Sequence, residues 1–174
     1  PAEFMRFLFT WQHVEPSSRL AGPEGLRAVL AQLDGLELPA RAWEHDVLPA
    51  RLERYDPSML DMLCLSGEVG WARLSSGPTQ GVGAPPIPLF LRERADDWWA
   101  LREAAPELPL TAAAQRLIDR LQSHGASFAQ ELKTACDLTD DQCREGLAEL
   151  VAAGRVASDG FAGVRAIVSQ SASR

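Results

Sequence analysis

A ten-residue pattern occurs twice. Leu60-Asp61-Met62-Leu63-Cys64-Leu65-Ser66-Gly67-Glu68-Val69 lies over Leu147-Ala148-Glu149-Leu150-Val151-Ala152-Ala153-Gly154-Arg155-Val156 at a constant offset of 87, sharing L-x-x-L-apolar-x-x-G-x-V. Each copy reads as the end of an amphipathic helix, a glycine that stops it and the first residues of a strand. The repeat points to two small units, each closing a helical group with a hairpin; the competing explanation is chance recurrence of a leucine-rich pattern common to amphipathic helices.

The downstream copy sits in a capped series. Ser127 with Gln130 and Thr139 with Gln142 form two capping boxes, each satisfying backbone N–H groups that a helix start leaves unpaired. Apolar residues follow at helical spacing: Ala114, Leu117, Ile118 and Leu121, then Phe128, Leu132 and Ala135, then Cys143, Leu147, Leu150 and Val151. Gly125 and Gly154 end the first and third helices. Arg155 to Ser158, the Asp159-Gly160 turn and Val164 to Val168 read as a short hairpin. Three helices and a hairpin make a winged helix.

Upstream, Gly22 to Leu33 and Pro39 to Arg54 supply two helices, and Asp56-Pro57 caps and starts a third. Glu68 to Leu74 is expected to pair with Ile87 to Leu91 across a mobile Gly/Pro-rich loop, Ser75 to Pro86. An N-terminal helix, Ala2 to His13, precedes this unit. A bridge carrying Asp96, Asp97, Trp98 and Trp99 follows it, in which one of the two indoles points outward if the segment is extended, and a break falls near Pro106 to Pro109. The expectation is an α+β, mostly helical chain of tandem winged-helix units with short β-hairpin wings. The divisions are 1–108, 109–168 and a tail, 169–174.

With 174 residues the chain can bury a real core, and its net charge of −7 disfavours a broad phosphate footprint. Cys64, Cys136 and Cys143 fall at apolar helical positions, as small core residues in a reducing cytoplasm do. No CxxC occurs, and His13, His45 and His124 lie far from one another and from any Cys pair, so a structural zinc site has little support. The sequence contains no signal peptide or transmembrane run, and its N-terminus begins inside a helical pattern, as an excised piece of something larger would.

Phe4-Met5-Arg6-Phe7-Leu8 through Trp11-Gln12-His13 resembles a stretch of the large helicase-related (Lhr) family. Gly22-Pro23-Glu24-Gly25-Leu26, Trp43-Glu44, Leu48-Pro49-Ala50-Arg51, Tyr55-Asp56-Pro57 and Gly67-Glu68-Val69-Gly70-Trp71 follow that family's order, as does Ser158-Asp159-Gly160-Phe161 before Val164-Arg165. The resemblance implies the accessory (DEAD/H-associated) domain that follows two RecA-like motors and a first winged helix. There it helps hold the tracking strand in an ATP-dependent superfamily 2 DNA helicase and translocase tied to DNA repair. It further implies single-stranded DNA or an RNA:DNA hybrid and the motor domains of the same chain as partners, and a cytoplasmic protein with no membrane contact. ATP and Mg would belong to the motors, since Lys133, the only lysine here, lacks the context of a phosphate-binding loop.

Among contact residues, Trp11 leads: an indole stacks on an unpaired base without reading it, and family members use a Trp in this domain that way. Arg6 and Arg19 are placed to reach flanking phosphates. Trp11 also shares a stripe with Phe4, Phe7 and Leu8, the pattern of a core-facing helix. Trp43 and Trp71 read as core. Gln32-Leu33-Asp34 is a weaker, enzymatic candidate. It is similar to the Gln-apolar-Gln/Asp motif of winged-helix DNA glycosylases, in which a carboxylate stabilises the cationic sugar or activates water and a Gln positions that water or the flipped base. The bland reading is two polar residues at a helix end. On the third downstream helix the outward residues Asp140, Asp141, Arg144, Glu145, Ala148, Glu149 and Ala152 repel phosphate, which favours a protein surface as that unit's partner.

Overall fold

The computed structural model describes residues 1–75, 86–101 and 109–171. The chain is mostly helical with a small antiparallel sheet. In order it forms α1 (Ala2–Trp11), α2 (Gly22–Gln32), β1 (Glu37–Pro39), α3 (Ala40–Ala42), a π turn (Trp43–Val47), α4 (Leu48–Arg51), α5 (Pro57–Leu65), β2 (Val69–Trp71), β3 (Pro86–Leu91) and α6 (Ala95–Leu101). Then come α7 (Ala112–His124), α8 (Ala129–Ala135), α9 (Asp140–Ala152) and α10 (Ala162–Ser171). These group into two compact units. The first is Pro1–Trp71, Thr79–Leu101 and Ser158–Arg174; the second is Ala72–Pro78 and Arg102–Ala157.

In the first unit three helical segments are followed by a wing. Asp56 caps α5, its carboxylate accepting from the Ser58 amide at 2.8 Å, as the Asp-Pro pair predicts. β2 pairs with β3 in the register Val69↔Leu91 and Trp71↔Leu89, inside the predicted strands. A third strand, β1, pairs with β3 on its other edge, Leu38 opposite Ile87. It replaces the expected start of a helix at Pro39 and is too short to carry a readable period of two. The helix predicted over Pro39 to Arg54 is interrupted by the π turn, where the Leu48 N–H reaches Trp43 O. Pro49 accounts for this: its ring clashes with the carbonyl four residues back, and one wider turn relieves the clash. The turn sets Trp43 fully inside the unit, its Nε1 donating to Ile87 O at 2.8 Å.

The second unit packs α7, α8 and α9 around Ala114, Leu117, Leu132, Cys143 and Leu150. Gly146 on α9 lets that helix approach α7 closely: a Cβ there would lie 2.7 Å from Leu117 Cδ1. Thr139 and Gln142 form the predicted capping box. Ser127 does not. Its hydroxyl donates to Gly125 O, and the helix starts one residue later, with Glu131 accepting from the Phe128 N–H. The box is half-built because Phe128, at the cap position, has no acceptor. Among the described residues this unit has no strand. Instead of a hairpin over Arg155 to Val168, the chain leaves α9, returns to the first unit at Ser158 and forms α10. That α10 starts here is explained by a distant cap: the Ala162 N–H donates to Asp61 Oδ1 of α5 at 2.9 Å, placing a carboxylate at the positive end of α10.

The internal repeat is visible as hydrogen bonds. Gly67 N donates to Cys64 O and Glu68 N to Leu63 O; Gly154 N donates to Val151 O and Arg155 N to Leu150 O. Both glycines have positive φ, 81° and 64°, the left-handed conformation that only glycine adopts cheaply. The correspondence ends there, because Val69 enters a sheet and Val156 packs against the second unit's own core. The loop 76–85 and most of the break, 102–108, lie outside the described residues.

Candidate nucleic-acid interface

None of the ten residues of α1 is buried. Phe4 (63% exposed), Phe7 (60%) and Trp11 (55%) share one stripe, while Met5 and Phe9 flank it at 45%. Exposure on this scale by contiguous aromatics marks a contact surface. The core-facing reading of the stripe is thereby overturned, whereas Trp43 and Trp71 are buried as expected. The sequence brought Arg6 and Trp11 onto one helix, but five residues separate them, about 140° around its axis. Arg6 is exposed; Arg19 is half-buried, with its Nε enclosed and without a hydrogen-bond partner.

The C-terminal end of α1 is held by side chains. Gln32 Nε2 donates to Trp11 O at 2.8 Å, and Arg51 Nη2 donates to Gln12 Oε1 at 3.2 Å. Beyond Gln12 the chain reverses at His13 (φ 58°), whose Nδ1 lies 2.9 Å from Ser18 O. Arg51 sits beside the next segment, since its carbonyl accepts from Leu20 N. Burial lowers the Arg51 pKa below its ordinary value without threatening a charge that persists at any accessible pH.

Asp34 turns away from Gln32. Its Oδ1 accepts from Leu91 N and its Oδ2 from Arg94 Nη1, both at 3.0 Å, and the side chain is 5% exposed. The two polar residues of Gln-Leu-Asp therefore bond to different elements, one to the end of α1 and the other to the exit of β3. Next to them Gly35 (φ 76°) leaves room for the Trp98 ring, which an added Cβ would meet at 2.2 Å. Trp98 and Trp99 lie on a helix, not an extended bridge; Trp98 is half-buried and Trp99 is 48% exposed.

A charged cluster not anticipated from the sequence lies where α10 meets the π turn and α5 within the first unit. Arg165 Nε binds Glu44 Oε2 and its Nη2 binds Asp61 Oδ2, each at 2.8 Å, while Tyr55 OH donates to Glu44 Oε1 at 2.7 Å. The Arg165 guanidinium also lies 5.8 Å from the centre of the Phe161 ring. Burial, then the Glu44 hydrogen bond, raises the Tyr55 phenol well above its usual range. Burial likewise pushes the nearby Cys64 thiol from 9.0 to about 12. Both groups favour their neutral forms in the folded chain, so the stability they supply is full below their unfolded pKa values and lost as pH rises toward the folded ones. Thermal melts between about pH 8 and about pH 12 should show Tm falling throughout the range, and a flat profile would contradict these shifts.

With Asp61 engaged, α5 presents Met62 (56% exposed) and Leu65 (69%) rather than hydrogen-bond donors for base edges. The acids of α9 are also committed locally: Asp140 to Lys133, Asp141 to Arg144, and Glu149 to the Thr111 amide and hydroxyl. Among the described residues no group of His, Cys, Asp and Glu could hold a metal ion, and no helix is long and apolar enough to cross a membrane.

Three helical segments, a β1-β3-β2 sheet and an exposed aromatic helix beside them define a winged-helix domain. The chain belongs to the family of the large helicase-related protein, whose winged-helix domain model matches residues 1–91. It is 36% identical to a protein of Mycolicibacterium smegmatis described as "Lhr helicase/ probable uracil glycosylase", over 95% of this chain and 11% of that protein. It is 32% identical to the Escherichia coli "Lhr helicase/uracil glycosylase", over 86% of this chain and 10% of that protein. The chain thus spans about a tenth of the length of these relatives.

Proposed function

We propose that this chain is a DNA-handling accessory domain of an ATP-dependent Lhr-type superfamily 2 helicase, serving DNA repair. In this reading it holds single-stranded DNA, or an RNA:DNA hybrid, without sequence preference, and it docks on the motor domains, where ATP and Mg act. The observation that carries it is α1, a helix whose aromatic residues all face outward. Bases stack on such rings whatever their identity. Arg6 and Arg19 supply phosphate contacts.

Anisotropy of a labelled oligothymidylate tests this. Trp11→Ala should weaken binding about five- to hundredfold, the worth of one stacked base. With two arginines on phosphates the slope of log K against log salt should be about −1.4. A Trp11→Ala variant that binds as tightly as the parent removes the stacking role, and a chain that binds no oligonucleotide at low salt is a purely architectural module.

The descriptions of both relatives name a uracil glycosylase, which favours a second reading, base excision; the candidate residues in this chain are Gln32 and Asp34. It ranks below the first because both Asp34 oxygens are occupied and the carboxylate is nearly closed to solvent. Abasic sites formed in uracil- or alkyl-base-containing DNA, and lost in Asp34→Asn, would establish it.

A further inference from the structure

We infer that Gln32, seconded by Arg51, is a positioning residue that sets the orientation of the Trp11 indole for a single strand; the inference rests on the reading of α1 as the strand contact. α1 buries no residue and only Leu8 is half-buried, so packing holds its direction weakly. Apart from the turn that follows it, whose Val14 and Glu15 N–H groups donate to Phe9 O, α1 is held at its C-terminal end by the polar side chains of Gln32 and Arg51.

Gln32 is the clearer of the two because it has no other bond to make. Its Nε2 donates to Trp11 O, and its Oε1 is enclosed without a hydrogen-bond partner. A buried amide oxygen left unpaired is costly, and an apolar side chain of the same length would avoid that cost. The one bond Gln32 does make is to the backbone of the residue whose ring is offered to solvent. Arg51 acts one residue further on, through Gln12 Oε1, while its Nη1 donates to Val47 O of its own helical stretch. The two donors thus hold consecutive residues, Trp11 through its carbonyl and Gln12 through its side chain, and together they fix where the last turn of α1 points. The spacing also explains why Gln32 and Asp34 sit two apart at the end of α2: Gln32 reaches α1, and Asp34 reaches β3 and Arg94.

The test is a double-mutant cycle on oligothymidylate binding, with the chain labelled with 5-fluorotryptophan. Gln32→Met keeps length and removes the donor. It should weaken binding about two- to tenfold, the worth of one hydrogen bond, and should have no further effect in a Trp11→Ala background. The fluorine resonance of Trp11, identified by its loss in Trp11→Phe, should shift in Gln32→Met while those of Trp43 and Trp71 stay in place. Arg51→Met should act in the same direction, and Arg51→Lys should recover most of the loss. Equal weakening in the parent and in Trp11→Ala, or an unmoved Trp11 resonance, overturns the positioning role and leaves the strand-binding reading intact. A parent chain that does not bind oligothymidylate overturns that reading itself, and the positioning role with it.

Discussion

Arg165→Met should lower the stability of the first unit by about 2–4 kcal/mol, a fall in Tm of roughly 5–10 °C. The side chains of Glu44 and Asp61 are 11% and 23% exposed, and Arg165 is 29% exposed. Removing the cation leaves two carboxylates facing each other with little water to separate them. Arg165→Lys should fall between parent and Met, because an ammonium cannot span both acids as the guanidinium fork does. Arg155→Met, at an exposed position, should lie within about 0.5 kcal/mol of the parent. Calorimetry decides the matter, and an Arg165→Met melt matching that of Arg155→Met would show that the cluster does not hold α10.

Gly35→Ala should cost about 3 kcal/mol, in two separable parts. A positive φ costs an alanine roughly 1 kcal/mol or slightly more. The remainder is steric, since the new Cβ would sit 2.2 Å from the Trp98 ring. Gly22 is the internal control: its φ is 69° and nothing lies within 4 Å of a Cβ built there. Gly22→Ala should therefore show the conformational part alone. Relative to Trp98→Ala, the Gly35→Ala and Trp98→Ala double should lose only the conformational part, which chemical denaturation of Gly22→Ala, Gly35→Ala, Trp98→Ala and the double would read directly. Equal losses for Gly22→Ala and Gly35→Ala would mean that Trp98 moves aside freely.

What the sequence made legible was local. The repeat holds down to paired backbone bonds because a helix, its glycine stop and the two N–H groups that close it are specified within seven residues. The Thr139 box and the Asp56 cap formed for the same reason. The second wing failed where the determinant was remote. Val164, Ala166 and Val168 alternate as a strand would, yet Phe161, Val164 and Val168 are spaced as a helix, and a run this short does not distinguish the two. Asp61 decides it, because its carboxylate caps α10 from 101 residues away.

The interface divides in the same way. Trp11 and its stripe could be read as a pattern, but its facing could not, because a core helix and a contact helix share one periodicity. Gln32 was singled out for its chemistry, and its bond to the Trp11 carbonyl, 21 residues away, had no sign in the sequence. Arg51 and the cluster of Tyr55, Glu44, Asp61 and Arg165 carried no local signal, since their partners meet only after folding.

The first unit is assembled from both ends of the chain, with the second unit inserted between its parts. During synthesis the second unit is complete once Ala157 has emerged, whereas the first, begun earlier, still lacks Phe161, Val164 and Arg165. Until those residues arrive, Glu44 and Asp61 have no cation between them and the site of Phe161, which is fully buried in the finished chain, is open. The unit that begins first is therefore the one that closes last, and a ribosome pausing shortly before Phe161 would hold a finished second unit beside an unsealed first one.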